Sequence, residues 1–199
     1  MIPIKKLRRM LSKSNVNLVV FDHDVPLCMP TTRTIYIPAT YLEEGLDDLA
    51  LKTTMLSVVH EVQHILRTTF DVSRLVKTKQ ERHVFNTLED LRIDRPLIKQ
   101  YGLKDVYEYT YIDPLKGKSF KKRTPWYVQV TYVLLLEMLG YSTDDHKDIQ
   151  EFIHDKYLKE HAQNIIDMLN KLEKNPTDEA YDTAKVYITW MVKRMRRTS

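Results

Sequence analysis

Cysteine occurs once, as Cys28, and glycine only four times in 199 residues. A lone cysteine excludes an internal disulfide and a Cys-rich metal site, and it suits a reducing, cytoplasmic location. The scarcity of glycine leaves no phosphate-cradling loop. Gly117-Lys118-Ser119 repeats the end of a P-loop, but the earlier glycine and its strand are missing. No apolar run is long enough to cross a membrane. The stretch from Met1 to Leu11 is basic but lacks the apolar centre of a secretory signal, so it is expected to form an amphipathic helix ending near Ser14-Asn15. No internal repeat is present. What is there is ordinary for a folded protein: 43% hydrophobic and 29% charged residues. The length suits one domain, residues 1–199.

The most informative segment is His60-Glu61-Val62-Gln63-His64. Residues four apart lie one above the other on a helix, so two histidines at this spacing can reach one metal ion. Zinc takes imidazole nitrogen at ~2.0–2.1 Å, and the intervening glutamate sits close enough to hold a proton of the attacking water. From Leu46 to Phe70 there is no Pro or Gly, and Leu49, Met55, Val58, Val59, Val62, Ile65 and Leu66 form an apolar stripe. A helix is therefore predicted here, with Asp47 or Asp48 as its cap.

A catalytic zinc usually has a third protein ligand. Thr78-Lys79-Gln80-Glu81 fits a capping box, which opens a second predicted helix, and Pro96 is expected to end it at Arg95. That helix carries Asn86, Glu89, Asp90, Arg92, Ile93 and Asp94. In the zincin-type families that these motifs resemble, an acidic third ligand is often followed four residues later by a polar residue that orients a ligand histidine; Asp90 with Asp94 fits that pattern, whereas Glu89 is followed by Ile93. Asp90 is the favoured third ligand, with Asp94 behind it and Glu89 as the alternative. His83 lies on the Asp90 face but reads as a packing residue, and Arg92 is expected to pair with a carboxylate.

These two motifs resemble the zincin-type metallopeptidases of phages and bacteria, including the peptidase-like domain of cobalamin-biosynthesis-type and von Willebrand A-associated proteins. Those proteins join H-E-x-x-H on one helix to N-x-x-E-D-x-R-I-E/D on the next. Thr34-Ile35-Tyr36-Ile37-Pro38 also looks like the edge strand of such domains. The resemblance covers about residues 15–100. Relatives with a von Willebrand A domain carry D-x-S-x-S, but here Asp71-Val72-Ser73 runs into Arg74, so no such domain is assigned. The resemblance implies an α+β, zincin-like fold with a small N-terminal sheet on the motif helix. It also implies a Zn2+ cofactor and hydrolysis of protein or peptide, with Glu61 as general base.

The rest of the chain is framed around that core. Val16 to Phe21 reads as a buried strand, Asp22-His23-Asp24 as a turn, and Thr31 to Pro38 as a second strand whose edge can accept an extended peptide. Val106 to Ile112 alternates and is expected to be extended, with Tyr107, Tyr109 and Tyr111 on one face. Residues 101–199 are otherwise expected to be helical. Thr124-Pro125 starts one helix and Gly140 stops it. Ser142 or Thr143 opens the next, broken at Asn175-Pro176, and Thr177 caps the last. His146, His154 and His161 read as surface or packing residues. The net charge is +4, with basic clusters at Lys5 to Arg9, Lys116 to Arg123 and Lys193 to Arg197. The rival reading is a non-catalytic, zinc-stabilised interaction module whose Lys116–Arg123 loop contacts nucleic acid.

Overall fold

The computed structural model describes residues 4–22, 26–42, 48–112, 124–141 and 156–196. The turn at Asp22-His23-Asp24, the Lys116–Arg123 loop, His146, His154 and the start of the helix after Ser142 lie outside the described residues, wholly or in part. The chain divides into two compact units: Met1–Thr69 with Leu97–Tyr111, and Phe70–Pro96 with Ile112–Ser199.

The first unit is α+β. Helix α1 (Ile4–Lys13) leads into strands β1 (Asn17–Phe21), β2 (Leu27–Met29) and β3 (Thr34–Pro38), then helix α2 (Asp48–Arg67). The sheet order is β1-β3-β2. β1 runs parallel to β3 in the register Asn17↔Thr34 to Phe21↔Pro38, and β2 runs antiparallel to it with Cys28 opposite Ile35. Side chains alternate across a strand. Ile35 and Ile37 therefore point into a core shared with Val58 and Ile65 of α2, Leu11 of α1 and Val16. Leu18, Val20 and Cys28 border that core, while Val19, Leu27 and Met29 remain exposed.

Three expectations change here. Thr34–Pro38 is the central strand, not an edge, because β2 covers the side that the sequence left open. β3 is paired on both sides, so strand addition along β3 is excluded. The second strand itself begins at Thr34, since Pro30–Thr32 form a 3-10 turn closed by Arg33 at φ 49°. Arg33 donates to the carbonyls of Ser14 and Asn15 at 2.9 Å each, which ties this turn to the end of α1. β1 is half-exposed rather than buried, because it lies at the rim of the sheet.

The segment after Gly102 is helical, not extended. Helix α4 (Lys104–Tyr107) runs into a wider π turn over Glu108–Ile112. Thr110 Oγ1 donates to the Val106 carbonyl at 2.6 Å and meets Thr53 Oγ1 of α2 at 3.0 Å. That four-residue back-bond belongs to a wound backbone. Tyr107 is buried and Tyr109 exposed, so these two share no common face.

Among the described residues, the regular structure of the second unit is helical. It takes most of α3 (Lys79–Tyr101), with α5 (Trp126–Leu139), α6 (Lys156–Lys174) and α7 (Asp178–Arg196). Its core joins Phe70, Phe85, Leu88 and Leu91 to Leu134, Ile165, Leu169 and Ile188. The capping box is present. Thr78 Oγ1 accepts from Glu81 N at 3.1 Å, and Glu81 Oε2 accepts from the backbone of Thr78 and Lys77. Thr177 accepts from Ala180 N at the start of α7, and Gly140 ends α5 at φ 83°. Pro125, not Thr124, is the cap residue of α5. Pro96 does not end α3, which continues to Tyr101. Proline removes one backbone donor from a helix. Flanking contacts hold the helix there: Arg95 is anchored to the Met138 carbonyl and Gln163, and Leu97 is buried.

Candidate metal centre

The later half of α2 carries the histidine pair as the spacing requires. His60 Nε2 and His64 Nε2 are 3.0 Å apart, with the rings edge to face. Both rings are half-buried. Val58 and Ile65 turn toward the sheet, which fixes the rotation of α2 and so the side on which the imidazoles stand. Glu61, next to His60, is buried.

Asp90 joins this pair. One ring nitrogen from each of His60 and His64 and one Asp90 carboxylate oxygen all lie within 4.8 Å of one another. Two imidazoles and a carboxylate are a donor set that zinc accepts. At the usual bond length, neighbouring ligand atoms on a tetrahedral zinc are ~3.4 Å apart. The 3.0 Å nitrogen pair is near that spacing, and the three residues could hold a metal ion.

Glu89 is engaged elsewhere. Its two oxygens take a fork from Arg92, Nε to Oε2 at 2.7 Å and Nη2 to Oε1 at 2.6 Å, and it is only 1% exposed. Arg92 also donates to Glu173 and to Asn170. Burial opposes the guanidinium charge, but the bonds to Glu89 and the charge of Glu173 hold Arg92 more firmly protonated than usual. The expected partner of Arg92 is thus a pair of carboxylates. The three-residue spacing of Glu89 and Arg92 on a helix was the legible part of it. Glu173, 81 residues on, left no local signal.

Asp94, one turn beyond Asp90, is buried. His83 packs edge to face on Tyr127 with ring centres 5.4 Å apart. Burial pulls its pKa down, and the Asp90 carboxylate offsets part of that. No protein-family profile, curated protein or solved structure matches this chain.

Proposed function

We propose that the protein is a zinc-dependent metallopeptidase that hydrolyses a peptide bond in a protein or peptide substrate. The observation that carries this reading is that ligand atoms of His60, His64 and Asp90 lie within 4.8 Å of one another, with Glu61 the next residue after His60 on the same helix. In this reading the three are the zinc ligands, and Asp94 lies behind them to orient a ligand histidine. Bound zinc supplies Lewis acidity to water and to the scissile carbonyl. Glu61 takes the proton of the attacking water and passes one to the departing amine. Glu89 is held by Arg92, which also donates to Glu173, so this reading assigns Asp90 rather than Glu89 to the metal.

Glu61→Gln separates the enzyme from a zinc-stabilised module. It keeps the shape of the side chain and removes the base. The expected result is a loss of peptide hydrolysis of roughly 10²–10⁴-fold with bound zinc unchanged. Turnover at the wild-type rate in Glu61→Gln would contradict the mechanism.

A further inference from the structure

One face of α7, within the helical unit, repeats at helical spacing through Asp182, Lys185, Val186, Thr189, Lys193 and Arg196. Two clefts share Thr189 and Lys193 as a common wall. The first, about 350 Å³, is also lined by Trp126 and Arg196; the second, about 450 Å³, by Lys185 and Trp190. Each cleft therefore pairs an indole with cationic side chains. His161 stacks on Trp190 at 3.9 Å between ring centres with planes 18° apart, which fixes the indole beside the second cleft. Trp126 packs differently, edge to face on Tyr127 at 5.6 Å between ring centres.

Among the residues that line the two clefts, the cations Lys185, Lys193 and Arg196 outnumber the acids Asp182 and Glu81. Glu81 is spent internally: it accepts from two backbone amides and from the Thr189 hydroxyl at 2.8 Å. Lys185 and Arg196 are 11 residues apart, about 16 Å along the helix. Fixed aromatic rings between cations over such a span match the needs of an unpaired nucleic acid strand. The cations follow the phosphates and the indoles stack with bases, whose faces a duplex hides.

We propose that this face of α7 binds single-stranded nucleic acid. It does not depend on the metal reading. The recognition is by charge and stacking, so it carries little sequence preference.

The test is fluorescence titration of the full chain with a labelled oligothymidine, from about 50 to 200 mM salt. Three phosphate contacts give an expected slope of log K against log salt near −2, with quenching of tryptophan emission. The Lys185→Gln/Lys193→Gln/Arg196→Gln variant should lose about tenfold or more in affinity at low salt, and most of the slope, with an unchanged melting temperature. If the triple variant does not fold, Lys193→Gln alone should reduce the slope by about 0.7. Wild-type affinity in the variant, or no binding by wild type at low salt, would overturn the proposal. So would equal binding of a duplex or of polyglutamate with no change in tryptophan emission.

Discussion

At the residue scale, two neighbouring acids on α3 have different work. Glu89 is buried in a fork with Arg92, while the Asp90 carboxylate lies near His60 and His64. Removing one member of a buried ion pair strands the other charge, at a cost of about 3–5 kcal/mol. Glu89→Ala should therefore lower the unfolding free energy by about that amount, read by denaturant titration, while zinc content of the folded fraction stays the same. Asp90→Ala should instead abolish zinc binding in the folded protein, read by elemental analysis. The sequence favoured Asp90 over Glu89 by a spacing preference, Asp90 with Asp94. What engages Glu89 depends in part on Glu173, which only tertiary packing brings near.

Glu81 gives a pH signature. Burial pushes its pKa up, but bonds from the Lys77 and Thr78 amides and the Thr189 hydroxyl outweigh that, and the net shift is downward. A carboxyl with a lower pKa folded than unfolded adds stability above its unfolded value, ~4.3, and that stability is lost as the pH falls through the folded value. Glu81→Gln should thus cost about 1–2 kcal/mol near neutral pH. Thermal melts of the two proteins should converge as the pH drops below about 4. A difference that stays constant into acid would show that the charge of Glu81 is not what caps the helix.

At the element scale, legibility followed local chemistry. The cap of α3, the stop of α5 and the H-E-x-x-H helix were readable because each rests on residues within one or two turns. Gly140 sits at φ 83°, where an L side chain is strained. Gly140→Ala should destabilise by about 1 kcal/mol in a thermal melt, although nothing crowds the added methyl. The strands were harder. β2 has three residues between Pro26 and Pro30, too few to show a period, and missing it turned β3 from a central strand into an apparent edge. Residues 106–112 alternate in sequence, but the Thr110 back-bond and its contact with Thr53 favour a helical winding. Pro96 was read as a stop, yet α3 passes through it because anchored residues on either side hold the helix together.

At the scale of the whole molecule, the mixed α+β character was legible: strands and the motif helix fall in the first compact unit, and the described elements of the second are helical. The division at Pro96 was not, because the boundary falls inside a continuous helix rather than in a linker rich in Gly or Ser. The proposed chemistry needs one ion held by residues from α2 and α3 together. Its most direct test is elemental analysis of the purified protein, with His64→Ala and Asp90→Ala alongside. About one zinc per chain in the wild type, lost in both variants, is the expected result. A wild type that carries no metal and takes up none on addition of zinc would contradict the account.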